Sequence, residues 1–110
     1  MKLPNADVAR VAPEKLREYL LSETHPVGKF KAQFFRALGF DSSDVGALAQ
    51  LLLAIARNEE VQATALSAHG MKFIIDGMLP ARSGTIVKVR TVWILETGQQ
   101  EPHFVTAYPV

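Results

Sequence analysis

The sequence predicts an α+β domain in which three N-terminal helices are followed by a four-stranded antiparallel β-meander packed on them. Three observations carry this. Apolar residues recur at helical spacing as far as Asn58, the period falls towards two after Glu60, and the strand-like runs are separated by short turns rich in Gly, Pro and Ser. With 110 residues, 48% of them hydrophobic, one packed core and a single domain over 1–110 are expected.

Pro4 holds Leu3 extended, and residues 1–12 carry no clear period. Pro13 suits the first turn of a helix, where its missing N–H costs nothing, so a short helix is expected over 13–21 with Leu16 and Leu20 on one face. Pro26 then imposes a break over 22–26 and pushes His25 out of the α region. Over 27–38, Phe30, Phe34, Ala37 and Leu38 follow helical spacing, and Gly39 supplies a left-handed stop. Asp41 or Ser42 caps the third helix, whose buried stripe is Val45, Leu48, Leu52 and Ile55 and whose end is Arg57-Asn58. The strands follow over 61–65, 71–78, 85–95 and 103–108, with turns at 80–84 and 97–100.

Alternation in the third strand puts Val87, Val89, Thr91, Trp93 and Leu95 on the core face. Lys88 and Arg90 then stand side by side on the other face, either washed by solvent or lining a cleft. In the last strand the same alternation groups Phe104, Thr106 and Tyr108, so two hydroxyls able to donate to a phosphate share a face. His25 titrates near neutral pH and sits in a break, which makes it the candidate general base, against the alternative of a loop residue bonded to backbone. Gly28 and Lys29 lie at a helix start that can meet an anion. Lys31 falls on the opposite flank of Phe30, aligned with Phe35, and is a further binding candidate. His25, His69 and His103 match no metal-ligand spacing, and no metal or other cofactor is expected.

A formal charge of +1 gives no global reason to expect nucleic acid. Locally, Lys29, Lys31 and Arg36 are unmatched by acids between Glu23 and Asp41, and Lys72, Arg82, Lys88 and Arg90 meet only Asp76 between Glu60 and Glu96. The absence of cysteine excludes disulfides and thiolate chemistry. The N-terminus lacks the apolar core of a signal peptide, and the longest apolar run, 51–56, falls far short of the ~20 residues a membrane helix needs. A cytoplasmic protein without membrane partners is expected. Phosphate loops, nucleophile elbows and dinucleotide fingerprints are missing.

Five stretches carry a resemblance: Leu3-Pro4-Asn5-Ala6, the run over 15–21, His25-Pro26-Val27-Gly28-Lys29-Phe30-Lys31-Ala32, Thr91-Val92-Trp93-Ile94, and the ending Pro102-His103-Phe104-Val105-Thr106-Ala107-Tyr108. Through them the chain resembles a small bacterial domain family of about this length, found free-standing and at the C-terminal ends of polymorphic toxins. The helices-then-meander order and the Thr-Ala-Tyr ending are also similar to the barnase, colicin-nuclease and RelE type of metal-independent ribonuclease toxin. That resemblance implies RNA as substrate and a cognate immunity protein as partner. Arg90, Lys29 or Lys88 would then stabilise the phosphorane, with Thr106 or Tyr108 orienting the phosphate. The alternative is a non-catalytic interaction module, immunity or accessory in role, which the near-neutral charge favours.

Overall fold

The computed structural model describes residues 1–20 and 29–110, with the side chains of all of these except Tyr19, Leu20, Lys29 and Phe30. The expected break at 22–26, with His25, and Gly28 lie outside the described residues. A 3₁₀ turn, Ala6–Val8, opens the chain. Helix α1, Pro13–Lys15, continues as a π-helical turn, Leu16–Leu20, and is followed by α2, Lys29–Ala37, and α3, Val45–Asn58. The strands are β1, Ala63–Ser67, β2, Gly70–Pro80, β3, Ile86–Glu96, and β4, His103–Pro109, in one antiparallel sheet of order β1-β2-β3-β4. The helices-then-meander architecture is therefore the one expected.

Local chemistry accounts for the helix ends. Gly39 takes φ 94° after α2, a left-handed conformation that a side chain would strain, and Phe40 N–H closes the turn on the Phe35 carbonyl at 3.1 Å. Asp41, not Ser42, caps the 3₁₀ turn Ser42–Asp44 that leads into α3, whose own cap position, Asp44, makes no side-chain cap hydrogen bond. The Asp41 carboxylate accepts from Ser43 N–H at 2.8 Å while Asp44 accepts from Asp41 N–H at 3.0 Å, a reciprocal capping box.

The core lies between α3 and one face of the sheet. Val45, Leu48, Leu52 and Ile55 are buried as the helical stripe requires, and they meet Phe73, Ile75, Leu79, Val89 and Trp93. From α2 the fully buried aromatic is Phe35, with Phe34 half-buried at its edge 5.0 Å away between ring centroids. The expected stripe is thus corrected: Phe35 joins Leu38 in the core, while Ala37, expected on the buried face, is exposed. The helix buries the flank that passes between Ala32 and Phe35, both fully enclosed.

Two details fix the sheet against the helices. A Cβ on Gly77 would stand 2.7 Å from Cγ2 and 2.8 Å from Cγ1 of Ile55, so the absence of a side chain lets α3 lie close to β2. Thr91, fully buried, donates its hydroxyl to the Ile75 carbonyl at 2.7 Å and accepts from the Trp93 indole N–H at 2.8 Å, which satisfies both polar groups inside the core. Along the far edge, the N-terminal segment seals β4. Arg10 N–H donates to the Pro102 carbonyl and Phe104 N–H donates to the Arg10 carbonyl, each at 2.9 Å.

β4 contains a bulge. Val92 pairs with Thr106 but Trp93 pairs with Phe104, so Val105 is the additional residue. Phe104 consequently turns into the core, edge-on to Trp93 at 5.4 Å between centroids, while Thr106 and Tyr108 point the other way. The expected grouping of Phe104 with the two hydroxyls is overturned by this one residue.

Two stability outcomes follow from the contacts between the sheet and its core. Gly77→Ala should cost about 1–3 kcal/mol through overpacking, and an Ile55→Ala background should remove most of that cost; urea denaturation of the four chains measures the coupling. Thr91→Val, close in shape, should cost about 1–3 kcal/mol because it leaves the buried indole N–H of Trp93 without its acceptor. An unchanged urea midpoint would exclude that account.

Candidate functional site

The sheet has an outer face, turned away from α3, and the register sets its rows. β2, β3 and β4 place Asp76, Arg90 and Tyr108 directly across from one another, with Met78 and Lys88 paired in the row on one side and Ile74, Val92 and Thr106 in the row on the other. Period-two alternation from the buried positions Val89, Thr91 and Trp93 requires Lys88 and Arg90 to be here. The bulge at Val105 brings Thr106 and Tyr108 to the same face.

Lys31 joins them from α2, which lies beside β4. Its ammonium donates to Thr106 Oγ1 at 2.8 Å and stands 5.5 Å from the centroid of the Tyr108 ring, within cation–π range. A hydroxyl that accepts from an ammonium directs its own proton elsewhere, so Thr106 is left to donate to a guest. The four-residue spacing of Lys31 from the buried Phe35 is the alignment expected from helical geometry, and it places the lysine where its ammonium meets β4.

Arg90 is held by Asp76. Nε donates to Oδ1 at 2.7 Å and one terminal nitrogen, Nη2, donates to Oδ2 at 2.9 Å, a bidentate pair across adjacent strands. The carboxylate side chain is 9% exposed and the guanidinium side chain 38%, so the pair is sunk on the acid side and open on the basic side. These hydrogen bonds hold the Asp76 carboxyl below its ordinary value, with the charges of Arg90 and Lys88 adding to the effect. Arg90 is in turn kept protonated, first by its bond to Asp76 and its charge, then by the adjacent Tyr108.

Five of the eight expected site residues therefore meet on one face: Lys31, Lys88, Arg90, Thr106 and Tyr108. For Lys29 the structure describes the backbone at the start of α2, and His25 and Gly28 lie outside the described residues. Asp76 is the residue that sequence reasoning left out. Part of its signal was available, because it is the single acid on β2 and a turn at 80–84 sets it opposite Lys88; the turn in fact runs one residue later, over 81–85, which moves its partner to Arg90. His69 is exposed in the β1–β2 turn. His103 pairs with Ile94, four residues from Arg90 along β3, which at strand rise is ~13 Å and beyond common reach. It lines instead a cavity of about 370 Å³ with Arg10 and Glu14. Among the described residues, no three of His, Asp and Glu gather as metal ligands, and no single helix is long and apolar enough to cross a membrane.

The chain belongs to the family described as domain of unknown function DUF6883, whose model matches residues 2–110. No curated protein matches it in sequence. Among solved structures, it is similar in fold to a chain of a contact-dependent growth inhibition toxin–immunity protein complex from Klebsiella pneumoniae 342. The TM-score is 0.70 at 16% identity, over 94% of this chain and 95% of the other.

The Asp76–Arg90 pair has a pH signature with a definite sign. Because the folded carboxyl titrates below its ordinary value, its contribution to stability is complete above about pH 3.9 and is lost as pH falls through the lowered value. Asp76→Asn should therefore be less stable than wild type at neutral pH, and the gap should close on acidification below about pH 3.9. Urea midpoints taken from pH 7 to pH 2 measure it, and a gap that holds constant to pH 2 would contradict the assignment.

Proposed function

We propose that the domain is a metal-independent ribonuclease of the toxin kind, which cuts RNA on the outer face of its sheet. The observation that supports this reading is the meeting of Lys31, Arg90, Thr106 and Tyr108, drawn from three elements, with Lys88 in the adjoining row. Two of the cations stand against hydroxyls, an arrangement suited to an anion whose charge grows during reaction.

In this reading the 2′-oxygen of a ribose attacks the adjacent phosphorus. A 2′,3′-cyclic phosphate forms as the 5′-oxygen leaves. His25 takes the 2′ proton as general base, and the departing 5′-oxygen takes a proton from solvent water. Arg90 and Lys31 meet the charge that develops on the phosphorane, while Thr106 donates the hydroxyl proton that Lys31 leaves available. Tyr108 flanks Arg90 and orients the phosphate, and Gly28, Lys29 and Lys88 bind the flanking backbone. The domain acts in the cytoplasm, carried there as part of a larger polypeptide, and a cognate immunity protein protects its producer. The fold it shares with a chain of a growth inhibition toxin–immunity complex agrees with that setting, as fold-level analogy.

Induced expression in bacteria tests the reading. The wild-type chain should arrest growth and leave RNA fragments ending in 2′,3′-cyclic phosphate, while His25→Ala and Arg90→Ala, each checked for folding by thermal melting, should lower cleavage by about 100-fold or more. A folded wild-type chain that neither arrests growth nor cuts RNA would overturn the proposal in favour of a non-catalytic interaction module.

A further inference from the structure

A guanidinium offers five N–H donors and two edges able to make a bidentate contact. In Arg90 the edge formed by Nε and Nη2 is filled by Asp76. Beyond it lie the end-on edge, made by one N–H of Nη1 and the second N–H of Nη2, and the other Nη1 N–H, which points back beside Cδ; Tyr108 also bonds the guanidinium. The direction of the end-on edge is set by Asp76, which sits directly across on β2 and is nearly enclosed, and by Tyr108 on the other side of Arg90. A phosphate has two non-bridging oxygens at the spacing that this edge requires.

We infer that Asp76 is the positioning residue of this site: by occupying one edge of Arg90 it fixes the other as a fork for the two non-bridging oxygens of a single-stranded RNA phosphodiester, next to the Thr106 hydroxyl. The inference rests on the ribonuclease reading and deepens it by naming what the site grips. Asp76 touches no reacting atom. It acts through Arg90, and without it the guanidinium turns about its terminal torsions and loses the end-on geometry.

Single-stranded oligonucleotides provide the test, with two probes: a cleavable RNA, and the same sequence with 2′-O-methyl riboses, which binds but cannot react. Wild type, Asp76→Asn, Asp76→Glu, Arg90→Ala and the Asp76→Asn/Arg90→Ala double variant are compared, each with its melting temperature. Asp76→Asn should lower kcat by about 10-fold to 100-fold and raise KM several-fold. It should also weaken the 2′-O-methyl probe several-fold, and it should have no further effect once Arg90 is alanine. Asp76→Glu, which keeps the charge, should recover part of the lost rate. A purely structural Asp76 would instead lower the melting temperature in both backgrounds and leave kcat of the folded enzyme unchanged. That result overturns the inference while leaving the ribonuclease reading standing. If wild type binds the methylated probe but cuts nothing, the ribonuclease reading fails and the binding arm alone decides the role of Asp76. If wild type neither binds nor cuts, both fail.

Discussion

The additional residue at Val105 is the constraint on which the outer face depends. Strict alternation in β4 would send Phe104, Thr106 and Tyr108 to one side, where either a phenylalanine would lie out of the core or two polar groups would lie in it. The bulge resolves that conflict by changing the phase of the strand between Val92 and Trp93. Phe104 gains its edge-on contact with Trp93, and Ala107 packs beneath with no exposed surface. Thr106 and Tyr108 are delivered to the face that already holds Arg90. One irregularity thus serves packing and chemistry together.

The rest of the scaffold keeps that face rigid. Thr91 links β3 to β2 through its hydroxyl and also occupies the Trp93 indole, so the two central strands are joined by side chain as well as by backbone. On the same core face, Gly77 lets Ile55 approach β2, which seats α3 directly behind the row that carries Asp76 and Arg90 on the outer side. Helix α2 is held at its C-terminus by the Gly39 turn and by Arg82 N–H donating to the Leu38 carbonyl at 3.0 Å. That anchoring fixes the axis from which Lys31 reaches Thr106. A site drawn from β2, β3, β4 and α2 keeps its spacing only if all four are tied to one core, and these contacts are the ties.

The third helix, the three long strands and the core face of β3 were legible in the sequence, because period 3.6 and period 2 are direct consequences of burial on one side. The failures have equally direct causes. β1 runs two residues later than the pattern placed it, since Ala63 to Leu66 are all exposed and carry no burial signal. The stripe of α2 included Ala37 and omitted Phe35 because neighbouring phenylalanines leave it ambiguous by one position. Phe104 was misplaced because a bulge is invisible to alternation. Helical angle aligned Lys31 with Phe35, but its partner Thr106 lies 75 residues away on β4, a contact that single-helix patterning does not give. Asp76 was readable only by combining a turn with a register, a pairwise inference that single-strand patterning does not make.

The near-neutral charge of the whole chain is weak evidence against a phosphate partner, because screening makes distant charges irrelevant. At physiological ionic strength exposed charges more than ~8 Å apart hardly sense one another. What a phosphate on the outer face meets is Arg90, Lys31 and Lys88 against the one carboxylate of Asp76, and that carboxylate is turned towards the guanidinium and away from solvent. Asp76 offsets part of the Arg90 charge, yet it also removes the conformational freedom that an unpaired arginine would have to give up on binding. In the proposed reaction the charge must be in place beforehand, and fixed direction would contribute more than an additional loosely held cation. On the proposed ribonuclease reading, the site trades bulk attraction for geometry, the arrangement expected of a small domain that would grip a few phosphates rather than a long stretch of backbone.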